Sequence, residues 1–166
     1  MPRKLIELGL IARSHPPANR WAERVLRPYA VMMGGAELAP LTLMHEDAGI
    51  RTVWMGRAGL NLHSGDSSNY LDNLRSGRPR IWVAMDGDAV QMLTADPYEG
   101  ESLASDPGRM VEAVPMPEDL ANELAAFAQT YHVEEVFVKR RKDRQPDGSE
   151  TRAPRILPPE QNWIRK

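Results

Sequence analysis

The sequence predicts an α+β protein that is predominantly antiparallel, with six to seven strands forming a curled sheet or a small barrel. Short apolar segments recur along most of the chain between turns that contain glycine or proline, a pattern typical of antiparallel sheets. Only two segments have helical periodicity, one near 66–76 and one near 117–132. With 166 residues the chain can bury one core, so we expect a single domain over residues 1–144.

The first strands are predicted from residues 4–14, 29–33 and 41–46. Residues 21–33 favour a returning strand over a continuous helix because Pro28 would interrupt a helix. A further extended piece over residues 51–63 should be broken near 56–59, since glycine in a strand often marks a bulge or a bend.

The clearest hairpin joins residues 80–85 to residues 89–94 through a turn at Gly87, which can adopt the positive φ that a tight turn needs. Residues 96–108 are predicted to be a loop with at most one helical turn. A short apolar segment follows over residues 110–114 and completes the set of extended segments.

The helix near 117–132 is the stronger of the two helix predictions because its apolar residues recur on one face of a 3.6-residue period. Those residues are Leu120, Leu124, Phe127, Ala128 and Tyr131. For the helix near 66–76, Asp66 or Ser67 is expected to cap the first turn through its side chain, and Gly77 is expected to end it.

Composition excludes several classes of protein. The chain has no cysteine, which excludes disulfides and thiolate metal sites and fits a cytoplasmic location. No apolar run approaches the roughly 20 residues that a membrane-spanning helix needs. Glu7 and Gly9 interrupt the apolar stretch near the N-terminus, so no signal peptide is expected.

The residues indicate neither a catalytic set nor a metal site. The four histidines, His15, His45, His63 and His132, have no helical ligand spacing. Glycine-rich phosphate loops and the GxSxG nucleophile motif are also missing from the sequence. We therefore predict no catalytic residue, no metal and no cofactor, and we favour a role other than catalysis.

The one functional-looking cluster is a basic run, which consists of Lys139, Arg140, Arg141, Lys142 and Arg144. Residues 133–166 carry nine Lys or Arg and six Asp or Glu, whereas residues 1–132 carry 12 and 17. Such a run could neutralise nucleic-acid phosphates. Because no aromatic residues interleave with it for base stacking, docking onto an acidic protein surface is the preferred interpretation.

The last residues, 145–166, are rich in proline and polar side chains and predict an extended or disordered tail. Trp163 is an exception, because a free tail has no use for a large apolar side chain. We expect it to dock on the domain or on a partner.

Three stretches resemble a family of small uncharacterised bacterial proteins. They are GLIARSHPPANRWAERVLRPYAV at 9–31, LNLH followed by NYLDNLRS within 60–76, and VPMPEDL with AFAQTYHVEEVFVKRRKDR within 114–144. Members of that family are often encoded beside genes for molybdenum-dependent formate dehydrogenase and its maturation factors. Some are labelled molybdopterin-guanine dinucleotide biosynthesis proteins.

The resemblance implies a partner but no catalytic residues. The biosynthesis label implies a nucleotidyltransferase, and such enzymes open with a glycine-rich LxGGxSxRMG loop followed by a lysine. The label does not suit this chain, since Gly34-Gly35 lacks the serine, arginine and lysine of that loop. The resemblance singles out His63 and the basic run as a working surface. It implies an accessory or maturation protein that binds a subunit or a maturation factor of a molybdenum-dependent formate dehydrogenase.

Two alternatives remain open at this stage. One is binding of, or action on, the molybdopterin nucleotide cofactor, with Arg51, Arg57, Arg78 and Arg80 converging on its pyrophosphate. The other is a nucleic-acid-binding regulator that uses the basic run. A homodimer formed through an exposed edge strand is compatible with each of these functions.

Overall fold

The computed structural model describes residues 1–132, which form seven antiparallel strands in two sheets and three α-helices. The strands are β1 (Arg3–Ser14), β2 (Arg27–Met33), β3 (Thr42–Asp47), β4 (Ile50–His63), β5 (Arg80–Asp86), β6 (Ala89–Thr94) and β7 (Met110–Pro115). The helices are α1 (Ser67–Arg75), α2 (Pro97–Ala104) and α3 (Glu118–Tyr131). The predicted α+β class is confirmed, and the strands form two separate sheets that do not close into a barrel.

The core lies between the two sheets and is completed by α1 and α3. One sheet has the order β2-β1-β4-β3 and the other the order β6-β5-β7. In β1 the alternating residues Leu8, Leu10 and Ala12 are fully buried, as period-two patterning predicts for a sheet with one covered face. An ion pair between Arg27 and Glu112 (2.9 Å) links β2 to β7 across the two sheets.

The bulge predicted from the glycines near residues 56–59 is present at Gly56, but the predicted break is wrong, because β4 is one continuous strand of 14 residues. The register of β1 against β4 shifts at Leu10 and Ile11, which pair with Gly56 and Trp54. Gly56 has a φ of 92°, so the strand bends there while keeping its pairing on both sides of the bulge.

The predicted loop over residues 96–108 contains a helix of eight residues, α2. The Asp96 side chain accepts hydrogen bonds from the backbone N–H groups of Tyr98 and Glu99, and Pro97 occupies the first helical position. Both features favour helix initiation, and they make α2 longer than the single turn that the sequence predicts.

The start of α1 also differs in detail from the prediction. A 3₁₀ turn over Ser64–Asp66 precedes the helix, and Asp66 holds the N-cap position without a side-chain hydrogen bond. The Ser67 hydroxyl instead donates to the carbonyl of Ser64 (2.8 Å). Further along, the buried amide of Asn73 donates to the carbonyls of Arg80 and Ala95 and accepts from the N–H of Arg80, which joins α1 to β5 and to the end of β6.

Residues 34–41, which we call the crossing segment, connect β2 to β3 across the outer face of the four-stranded sheet. The connection must cross because β2 and β3 lie at opposite edges of that sheet. It passes over Trp54, whose indole is only 1% exposed and donates a hydrogen bond to the carbonyl of Leu38 (3.2 Å). Two glycines, Gly9 beneath the indole and Gly35 above it, leave the space that the ring fills.

Among residues 1–132, no helix combines the length and the apolar character that crossing a membrane requires.

Replacing Gly9 by alanine should destabilise the protein by about 1–3 kcal/mol, the range for overpacking. The added Cβ would lie 2.7 Å from the carbonyl oxygen of Gly34 and closer still to the Trp54 ring. Chemical denaturation measures the change in the free energy of unfolding. Gly108→Ala is the matched control, because the nearest atom to its new Cβ is a flexible carboxylate oxygen at 3.4 Å. Equal stabilities for the two variants would contradict the proposed packing.

Candidate functional site

A polar cleft of about 390 Å³ opens where β4 of the first sheet approaches β6 of the second. It is lined by Gly59, Asn61, His63, Asp66, Tyr70, Gln91, Met92, Leu93, Asp96 and Glu99. His63 ends β4, Asp66 precedes α1, and Glu99 lies in the first turn of α2, so the ends of three elements meet here. The cleft contains His63, the one residue of the predicted protein-binding surface that falls within residues 1–132.

Tyr70 forms the buried side of this cleft. Its side chain is 2% exposed, and its hydroxyl accepts a hydrogen bond from the backbone N–H of His63 (3.0 Å). Burial is the largest of the effects that raise the pKa of Tyr70 from 10.0 to about 12. The nearby carboxylates of Asp66, Asp96 and Glu99 contribute in the same direction, and the His63 hydrogen bond acts against them. The phenol is therefore neutral throughout the physiological pH range.

Hydrogen bonds within the protein hold two of the three carboxylates in place. Asp96 is 8% exposed and caps α2 with one oxygen, while its other oxygen accepts from the Asn69 amide (2.8 Å). Glu99 accepts from the Thr94 hydroxyl (2.6 Å), and that hydroxyl oxygen in turn accepts from the N–H of Asp96. The acidic wall of the cleft is thus largely a consequence of how α2 begins.

The described residues contain no group of three or more histidine or carboxylate side chains placed to hold a metal ion. The three carboxylates of the cleft are therefore not arranged around a common point. Their hydrogen bonds assign Asp96 and Glu99 to helix capping and loop support.

The four arginines proposed to converge on a pyrophosphate are divided between separate places. Arg57 pairs with Glu7 (2.8 Å) and Arg51 pairs with Glu46 (3.3 Å), both on the four-stranded sheet. Arg78 and Arg80 share a second cleft, of about 350 Å³, with a group of neighbours that includes Asp72, Trp82, Tyr98 and Glu101. In that cleft the Tyr98 hydroxyl donates to Asp72, and this contact raises the pKa of Tyr98.

Trp21 is the most exposed aromatic residue among residues 1–132, with 79% of its surface accessible. It lies in the connection between β1 and β2, residues 15–26. The Asn19 side chain accepts hydrogen bonds from the backbone N–H groups of Trp21 and Ala22 (both 2.9 Å), which form a tight local turn. The guanidinium of Arg20 lies 4.5 Å from the centre of the Trp21 ring.

The same connection is anchored to the far side of the sheet. Arg24 donates to the carbonyl of Gly49 (2.8 Å), in the turn between β3 and β4, and Pro16 lies against the same glycine. The loop that carries Trp21 is therefore attached to the body near both of its ends, through Pro16 and Arg24, and its backbone turn presents the indole to solvent.

Large apolar side chains are exposed at several further positions. They are Met1, Leu5, Val25, Tyr29, Met32, Leu38, Leu41, Leu43, Met44, Tyr98 and Tyr131. Four of them, Leu38, Leu41, Leu43 and Met44, fall within seven residues at the end of the crossing segment and the start of β3. Exposed apolar side chains in such a group are typical of interaction surfaces.

The remaining predicted site residues, Lys139, Arg140, Arg141, Lys142, Arg144 and Trp163, lie outside the described residues, as do the predicted domain boundary at residue 144 and the tail 145–166. Their role stays a prediction.

Sequence reasoning missed Trp21 and the carboxylates around Tyr70. Nothing in the local pattern distinguishes Trp21 from a strand residue that faces the core, because its exposure depends on the turn that Asn19 forms. Asp96 could have been found, since an aspartate directly before a proline predicts a helix start. Its proximity to Tyr70 depends on the approach of β4 to β6 and has no sequence signal.

Comparison with known proteins gave one match. The family model described as protein of unknown function (DUF3305) matches residues 7–141, which include nearly all of both sheets, the three helices and part of the basic run. No curated protein and no solved structure matches the chain.

Tyr70→Phe should flatten the dependence of stability on pH between 10 and 12. The unfolded phenol ionises at 10.0 and the folded one at about 12, so the native state keeps a proton that the unfolded state has lost. The contribution of the Tyr70 proton to the free energy of unfolding is therefore fully present below pH 10. It is lost as pH rises towards 12, by at most about 3 kcal/mol. Urea denaturation at pH 9, 10 and 11 measures this fall.

The phenylalanine variant should start about 1 kcal/mol less stable at neutral pH, because the His63 N–H loses its acceptor. Tyr29→Phe, which removes a phenol at a half-exposed position, is the control and should retain the dependence of the original protein. If Tyr70→Phe retained it as well, the pKa shift assigned to Tyr70 would be wrong.

Proposed function

The chain belongs to the DUF3305 family, whose function is not established, and from this premise we propose that it acts by binding another protein rather than by catalysis. The single observation that carries the proposal is the exposed Trp21 side chain on a backbone turn that Asn19 holds in place. Tryptophan is the residue most enriched among the side chains that dominate binding energy, and surface loops held by a scaffold are common binding elements.

The cost of binding supports the same assignment. A flexible loop loses conformational entropy when a partner immobilises it, and this loss reduces affinity. Asn19 and Arg24 already fix the loop through hydrogen bonds to the Trp21 N–H and to the Gly49 carbonyl. A partner that buries the indole would therefore gain apolar contact with little further ordering of this chain.

Charge supplies a second part of the proposed interface. The basic run at 139–144 suits an acidic surface, and oppositely charged patches mainly accelerate encounter and select the partner. Residues 1–132 are acidic by contrast, with 17 carboxylates against 12 basic side chains. We propose that the run steers association and that Trp21 provides most of the affinity.

The identity of the partner in this proposal comes from the resemblance to proteins encoded beside formate dehydrogenase genes. We propose an accessory or maturation protein that binds a subunit of a molybdenum-dependent formate dehydrogenase, or one of its maturation factors. A sequence without cysteine suits the cytoplasm, where such a step would take place.

Trp21→Ala should weaken binding to the purified apo-enzyme subunit at least about 30-fold, the loss expected for a dominant interface residue. The free energy of unfolding should stay within about 0.5 kcal/mol, because the side chain is exposed. Titration calorimetry with the full chain measures the affinity. Leu5→Ala is the control, because Leu5 is an exposed apolar residue on β1, outside the loop. This variant should bind with the affinity of the original protein. Unchanged affinity for Trp21→Ala would exclude the loop as the interface.

A chain that ends at residue 138 should bind the same subunit more slowly and with a weaker dependence on salt, since it lacks the basic run. Stopped-flow association at two ionic strengths tests this expectation. Identical association rates for the short and full chains would exclude the basic run from the interface. The role of Trp21 is tested separately by the affinity of Trp21→Ala.

A further inference from the structure

Strand β3 is an open edge of the four-stranded sheet, since its neighbour on one side is β4 and the described part of the chain places no strand on the other. The strand is also uncovered on its faces, because five of its six residues are exposed and the sixth, Thr42, is half-buried. An exposed edge with free backbone N–H and C=O groups is a template for pairing with another strand.

The first half of this edge is apolar. Leu43 pairs with Val53 and shares the core-facing side of the sheet with it, yet Leu43 is half exposed while Val53 is buried. Met44 occupies the bulge in this pairing, and Leu41 directly precedes the strand; both are also about half exposed. The apolar surface of the sheet therefore continues past the area that the second sheet covers.

The backbone at this edge is held in an unfavourable conformation by the rest of the fold. Leu41 has a φ of 68°, a region that bulky residues rarely adopt. Its N–H donates to the carbonyl of Trp54 (2.7 Å), and the crossing segment that leads to it is fixed by Trp54 and Gly35. Strain of this kind persists at sites where a particular surface shape is required.

We propose that β3 pairs with β3 of a second copy of this chain, in antiparallel orientation about a two-fold axis, to give one continuous eight-stranded sheet. The distribution of charge along the strand favours this occupant and this orientation. Glu46 and Asp47 lie at one end and Leu41 and Leu43 at the other. Antiparallel pairing places the acidic end of each copy beside the apolar end of the other. Parallel pairing would place four carboxylates together, of which only those of Glu46 have a cation, Arg51, beside them.

The edge is protected against open-ended association but not against a closed pair. The bulge at Met44 and the charges at Glu46 and Asp47 are devices that limit edge-to-edge aggregation. A two-fold pair uses the β3 edge of both copies at once, so it closes and leaves no β3 edge for a third. Strand pairing over six residues spans only about 20 Å, which places this interface at the small end of the known range, below about 1,200 Å².

An interface of this size predicts a dimer that dissociates on dilution in the micromolar range. Sedimentation velocity of the full chain between about 1 and 100 µM should show a rise from monomer to dimer mass. Leu43→Glu should raise the dissociation constant at least 30-fold, because antiparallel pairing places the new carboxylate beside Glu46 of the second copy. Leu5→Glu, at an exposed apolar position away from the β3 edge, should leave it unchanged. A chain that stays monomeric at 100 µM, a dimer that Leu43→Glu leaves intact, or a dimer lost only with Leu5→Glu would overturn the proposal.

The absence of cysteine from the sequence allows a direct test of the contact. Single cysteines placed at Leu43, Met44 and His45, one per variant, lie around the middle of β3, where the proposed axis passes and paired strands bring Cβ atoms within disulfide range. Under mild oxidation at least one of them should form a covalent dimer several-fold faster than Leu5→Cys. Equal rates at all four positions would overturn the proposal. A monomer whose β3 amides are protected from hydrogen exchange only when another protein is added would also overturn it, because the edge would then pair with that protein.

Discussion

The packing of Trp54 between the four-stranded sheet and the crossing segment is the constraint on which the rest of the first sheet depends. A side chain this large can lie flat against the outer face only because Gly9 beneath it and Gly35 above it have no Cβ. The indole N–H donates to the carbonyl of Leu38 and the Trp54 carbonyl accepts from the N–H of Leu41, so one residue fixes the connection at its middle and at its end. That connection in turn places β3 at the edge opposite β2.

The second sheet depends on buried polar groups rather than on a large side chain. Asn73 satisfies two carbonyls and one N–H that would otherwise be buried without partners, and this attaches α1 to β5 and β6. The Asp96 side chain likewise accepts hydrogen bonds from the Tyr98 N–H at the start of α2 and from the Asn69 amide. Two of the three carboxylates in the central cleft, Asp96 and Glu99, are therefore engaged in holding the start of α2, which leaves few of their acceptor sites for a ligand.

The parts of the fold that the sequence predicts well are those set by local periodicity. The hairpin of β5 and β6 and the helix α3 follow from alternating and 3.6-residue patterns, and the buried residues Leu120, Leu124 and Phe127 lie where the pattern places them. Partition into two sheets is not predictable in this way, because alternation tells which face of a strand is buried but not which strand lies beside it. The same limit applies to β4, where glycine predicts a bend but does not tell whether strand pairing continues beyond it. It also applies to Trp21, because its exposure depends on the turn that the Asn19 side chain forms.

The crossing segment also orders the events of folding. The turns between β3 and β4 and between β5 and β6 are short, so these hairpins can form within microseconds from neighbouring residues. Pairing of β1 with β4 joins residues about 50 positions apart and must overcome a large loop-closure entropy first. Only then does a surface exist on which residues 34–41 can close over Trp54. We therefore expect the Trp54 indole to become buried late in folding, when the crossing segment closes over it.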